Sequence, residues 1–93
     1  MIVGICEAKL RIPMSQSLKD KRNIIKGTLK RLKNQFNVAA AEVSQNEIHK
    51  LSTVGIVTVG NGYNHVEQQL EKVIEFIEDN YDLQLVDYTL RYD

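Results

Sequence analysis

The hydrophobic pattern changes period in a fixed order along the chain, and that order restricts the fold more than any other feature. From 2 to 12 the even positions Ile2, Cys6, Ala8, Leu10 and Ile12 are apolar, with Gly4 the exception, while Glu7, Lys9 and Arg11 alternate with them. A period of two marks a strand with one wet face. The one proline, Pro13, ends it. Ser17, with Asp20 three residues on, predicts a helix N-cap and an acid placed to complement the first turn. Leu18, Ile25, Leu29, Leu32 and Phe36 then recur at helical spacing, which carries the first helix to about residue 35.

Two further apolar runs, 36–43 (FNVAAAEV) and 53–59 (TVGIVTV), read as strands joined by a polar loop over 44–52. Gly60, Asn61 and Gly62 break the second run, and Asn61 or Asn64 can cap a second helix, Glu67 completing a capping box for Asn64. Val66, Leu70, Val73 and Ile77 take that helix to near Asn80. Over 83–92, Val86, Tyr88, Leu90 and Tyr92 alternate with Asp87, Thr89 and Arg91 in a last strand. The order β-α-β-β-α-β in 93 residues predicts one domain over 1–93. Its class is α+β, a ferredoxin-like sandwich with an antiparallel sheet in the order 4-1-3-2 and both helices on one face.

A formal net charge of zero conceals a division. Residues 1–41 hold nine Lys and Arg against two acids, and residues 42–93 hold three against ten. At about 100° per residue, Lys19, Arg22, Lys26, Lys30 and Lys33 form a stripe roughly 90° round the first helix from its apolar line, beside the core face. Glu67, Glu71, Glu75 and Glu78 form an acidic stripe displaced in the same rotational sense on the second helix. The helices run antiparallel in this fold. The basic flank is therefore expected over the edge formed by the second strand and the acidic flank over the fourth. Ile24 and Phe76 fall on the sides where the helices should meet.

Catalytic and metal chemistry find little support. Cys6 lies on the apolar register of a strand, His49 in a polar loop and His65 near a helix start, with no Ser/His/Asp or Cys/His arrangement among them. There is no CxxC, HxH or carboxylate cluster, no Walker loop, and the glycine spacing of a dinucleotide fingerprint is missing. We expect no catalytic, cofactor-binding or metal-binding residue and no small-molecule substrate. Glu42, within an apolar run, is the one carboxylate whose burial would demand a partner. The start MIVGIC is too short, and too soon interrupted by Glu7 and Lys9, for the apolar core of a signal peptide, and no later stretch could span a bilayer. With a single cysteine, this favours the cytoplasm and no membrane partner.

Two surfaces remain. The basic flank suits a phosphate backbone, with Lys19, Lys21, Arg22, Lys26, Lys30 and Lys33 as candidate contacts, or equally a solvated or subunit-pairing surface. The aromatics on which RNA-recognition-motif domains stack bases are missing from the first and third strands, so RNA would be read by charge and shape. The sheet face opposite the helices receives Val3 and Ile5, with a subset of Ala39, Ala41, Val43, Val57 and Val59, beside Glu7, Lys9 and Arg11. A second copy is the simplest cover for it, giving a homodimer.

The run Ser17-Leu18-Lys19-Asp20-Lys21-Arg22 after RIP, then FNV at 36–38, AEV at 41–43 and VGN…HVE over 59–67, resembles the YlxP-like family of small bacterial proteins of unknown function. Asp20 stands where relatives commonly have Glu. The resemblance implies the ferredoxin-like fold in a cytoplasmic bacterial protein. Because members are typically encoded beside translation-initiation and ribosome-maturation factors, it also implies a ribosomal or RNA connection by association, and it carries over no catalytic residue. Acylphosphatases share the fold, but the loop from Pro13 to Gln16 has neither the Arg nor the glycine of their phosphate loop. The expected function is a non-enzymatic RNA- or ribosome-associated module, with a protein-assembly module using the charged flanks and open sheet as the alternative.

Overall fold

The computed structural model describes residues 1–44 and 47–93. Its elements are β1 (Ile2–Arg11), α1 (Leu18–Gln35), β2 (Ala39–Glu42), β3 (Leu51–Gly60), α2 (Tyr63–Glu78) and β4 (Gln84–Tyr92). The strands form one antiparallel sheet ordered β2-β3-β1-β4. This is the expected 4-1-3-2 order, with both helices on one face, and the fold is the ferredoxin-like α+β sandwich.

The alternation in β1 sorts residues between core and solvent: Cys6, Ala8, Leu10 and Ile12 are buried with Val54 and Ile56 of β3 beneath the helices, while Glu7, Lys9 and Arg11 are exposed. Gly4 breaks the apolar series for a steric reason. A Cβ there would stand 2.6 Å from Val66 Cγ1 and 2.8 Å from Leu70 Cδ1, so the missing side chain lets α2 settle onto β1. Val66, Leu70, Val73, Ile74 and Ile77 are the buried residues of α2.

Several boundaries differ from expectation. The second strand begins at Ala39 instead of residue 36, because Phe36 caps α1, its ring meeting Phe76 edge-on at 5.8 Å, and the Asn37 carbonyl accepts a hydrogen bond from the Thr58 hydroxyl at 2.9 Å. These contacts hold 36–38 off the ladder. The N-cap of α2 is Gly62, with no side-chain cap bond, so neither Asn61 nor Asn64 has that role and Asn64 lies inside the helix. Glu78 ends α2, with Asp79 as its cap. Of the expected polar loop over 44–52, Gln45 and Asn46 lie outside the described residues, and Leu51 and Ser52 belong to β3.

The register settles which residues line the open sheet face. Val3 is opposite Val59, Ile5 opposite Val57, Val57 opposite Ala39, and Gly55 opposite Ala41. Val43 lies over Gly55, where an added Cβ would be 2.9 Å from Val43 Cγ1. All seven apolar candidates thus share that face.

Candidate functional site

The start of α1 is built by reciprocal capping. Ser17 Oγ accepts the Asp20 amide at 3.0 Å, and the Asp20 carboxylate accepts the Gln16 amide at 3.1 Å. The cap fixes where the helix begins and hence the direction in which every later side chain points.

The buried residues of α1 are Lys21, Ile25, Thr28 and Leu32. Their centre lies about 40° round the helix from the apolar line read from sequence, on the side toward α2. Leu18 and Leu29 are consequently left half-buried at the margin. Lys19, Arg22, Lys26, Lys30 and Lys33 are exposed, and among the described residues none of these five has an ion-pair partner.

Lys21 is a correction to the candidate set. It is 2% exposed, and its ammonium donates to the carbonyl oxygens of Ile48 at 3.3 Å and Leu51 at 3.1 Å and lies 3.8 Å from Glu42 Oε2. Its position on the helix, one turn before Ile25, points it inward, where the carbonyls leading into β3 receive it. It cannot stand with the exposed cations. Glu42, suspect from its apolar surroundings, is half-buried and doubly satisfied, by Lys21 and by the Ser52 hydroxyl at 2.5 Å. A lysine among helix cations gives no sequence signal for this role, because its partners lie 27 and 30 residues away.

Between α1 and β2 runs an open groove of about 510 Å³. Arg22, Lys26, Lys30 and Lys33 line it with Asn34, Ile25 and Leu29 contribute its apolar part, and Glu42 belongs to its β2 side. Sequence reasoning found the cations and missed the groove, which exists because the rotation of α1 leaves Leu29 uncovered. The site offers a row of cations one helical turn apart beside a strip of apolar surface.

The acidic stripe lies on the opposite edge, against β4. Tyr63 meets Tyr92 with centroids 4.8 Å apart and ring planes tilted by 57°, and its phenol donates to Glu67. That bond, with smaller contributions from desolvation and the neighbouring carboxylates, raises the Tyr63 pKa; burial first, then Glu67 and Glu71, raises that of Tyr92. The two charged flanks stay apart within one chain.

The remaining candidates scatter. Cys6 is wholly buried, and burial, with Glu7 nearby, pushes its thiol up to about 11, the behaviour of a core residue. His65 is exposed on α2, while His49 donates from Nδ1 to the Ser15 carbonyl at 3.1 Å. Tyr88 lies on the rim, 44% exposed, and Tyr81 is fully exposed. No helix is long and apolar enough to cross a membrane among the described residues.

Fold and site together define a small ferredoxin-like domain whose main surface feature is a cationic helix flank bordering an edge strand. Residues 3–90 match the family model described as protein of unknown function, DUF503. The chain belongs to that family. It is also similar to the uncharacterized protein YlxP of Bacillus subtilis strain 168, 31% identical over 77 residues that cover 83% of this chain and 84% of the relative.

Proposed function

We propose that this protein is a non-enzymatic RNA- or ribosome-associated module that contacts phosphates through Lys19, Arg22, Lys26, Lys30 and Lys33. The observation that carries this reading is the row of five exposed cations along one flank of α1, none with an ion-pair partner among the described residues. Such a row carries a cost, because like charges at i,i+4 repel by tenths of a kcal/mol per pair and no acid among the described residues pairs with these cations. A polyanion neutralises all five at once and releases its condensed counterions, which supplies affinity without base-specific contacts. Loss of Lys21 from the exposed set leaves five potential contacts.

The test is fluorescence anisotropy with a labelled mixed-sequence RNA across a salt series. Affinity should fall steeply with salt, and Lys26→Glu with Lys30→Glu should lower the magnitude of the log–log slope by about 1.5. Binding unchanged by that double substitution sinks the reading.

One observation favours the assembly alternative. Arg22, Lys26, Lys30 and Lys33 repeat at spacings of four, four and three, as do Glu67, Glu71, Glu75 and Glu78. In this reading the basic flank of one copy meets the acidic flank of the next. Exposed ion pairs contribute little each, so this contact is the weaker proposal. Salt-dissolved self-association without RNA affinity selects it.

A further inference from the structure

We propose that two copies of this chain pack sheet against sheet through the face that the helices leave open, forming a two-fold dimer whose charged flanks stay free. The proposal concerns a different surface from the RNA reading and stands independently of it.

The first argument is contiguity. The register places Val3, Ile5, Val57, Val59 and Ala39 as immediate neighbours across three strands, and Val57 and Val59 remain 38% and 48% exposed. Val43, 53% exposed, extends the patch by lying across Gly55. A domain of two layers has one sheet face to cover, and here much of that face is apolar.

The second argument is charge, and it selects a second copy as the occupant. A two-fold contact sets each patch against itself, so any patch of one sign repels its own image. That disqualifies the basic flank of α1 and the acidic flank of α2. On the open face the strands carry three cations, Lys9, Arg11 and Arg91, and two anions, Glu7 and Asp87, and Asp93, just past β4 with its backbone bonded to Val3, adds a third anion, for no net charge. Opposite charges stand side by side in this part of the face: Lys9 and Asp87 are opposite each other in the β1–β4 register, and Arg91 Nε is 3.7 Å from Asp93 Oδ2. The open face therefore joins an apolar patch to a mixed-charge part of no net charge, and two copies can share it without setting patches of one sign against each other.

The third argument is area. Two strands of 10 residues, one of 9 and one of 4, at about 3.3 Å per residue and about 4.8 Å apart, present about 500 Å² per copy, so a pair buries about 1,000 Å². This is at the lower limit of a specific interface. The dimer should accordingly dissociate in the micromolar range.

Sedimentation velocity on the full chain, from low to several hundred micromolar, provides the test. The mass should rise from 10.7 kDa toward twice that value with concentration. It should do so equally well at about 1 M salt, where ion pairs between flanks are screened. Val57→Lys and, separately, Val59→Lys point outward and should preserve the far-UV circular dichroism while weakening self-association at least tenfold. Lys26→Glu should leave it unchanged. A 10.7 kDa species at several hundred micromolar overturns the proposal. So does a dimer that high salt or Lys26→Glu dissolves and the folded valine variants do not, which assigns the contact to the flanks.

Discussion

Lys21 Nζ lies 3.8 Å from Glu42 Oε2, joining α1 to the edge strand β2 from beneath, with Lys21 almost completely enclosed. Lys21→Met keeps the apolar stem and removes the donor that serves the Ile48 and Leu51 carbonyls. We expect a loss of about 2–4 kcal/mol in unfolding free energy, read as a lower urea midpoint at constant m-value. The same variant should leave the salt slope of RNA binding untouched, since its charge does not reach the surface.

Glu42 is the carboxylate among the residues that line the groove. Glu42→Gln retains an acceptor for the Ser52 hydroxyl and removes a negative charge facing any bound phosphate. RNA affinity measured by anisotropy should rise several-fold at low salt, the gain shrinking as salt is added. An unchanged or lower affinity would place the phosphate path elsewhere.

Lys26 has Arg22 and Lys30 one turn away on either side. Lys26→Glu converts two repulsive i,i+4 pairs into attractive ones and should stabilise the domain by about 0.5–1 kcal/mol, seen as a higher thermal midpoint, even as RNA binding weakens. A stripe kept for folding would give opposite signs.

Gly4→Ala places a methyl group against Val66 and Leu70, at 2.6 Å and 2.8 Å before relaxation. Overpacking of this kind costs about 1–3 kcal/mol. The cost should be recovered in part by Val66→Ala in the same chain, which a double-mutant cycle in urea would measure.

With its pKa raised to about 11 from 9.0, the Cys6 thiol holds its proton more firmly in the folded protein than in the unfolded chain. Its contribution to stability is present below about pH 9 and is lost as pH rises toward 11. Stability should therefore fall across that window, and Cys6→Ala should flatten part of the fall, the raised Tyr63 and Tyr92 accounting for the remainder. Thiol modification at neutral pH should require unfolding, so its rate should climb with urea.

The fold was legible because period two and helical spacing succeed one another without ambiguity from Ile2 to Tyr92. Serine at 17 with aspartate at 20 named the α1 cap, and Phe76 marked the side of α2 facing α1, where it meets Phe36. What the pattern could not carry were relationships between distant residues. Lys21 is buried because the carbonyls of Ile48 and Leu51, where the chain enters β3, receive its ammonium, and β2 is short because Thr58 holds Asn37. Asparagine is a preferred cap, yet α2 begins at Gly62, ahead of the turn that Asn64 would need. The groove was missed for a related reason: helical spacing locates an apolar line, whereas packing decides how far the helix is turned, and a turn of about 40° left Leu29 beside the cations.

The separation of the cationic flank at β2 from the anionic flank at β4 has a kinetic consequence. A molecule polarised across its width experiences a torque in the field of a polyanion before any surfaces touch, within roughly one Debye length, about 8–10 Å at moderate ionic strength. It arrives α1 first. The acidic edge, which contributes nothing to the final contact in this reading, then acts as a rudder: removing its charge should slow association and leave dissociation as it was.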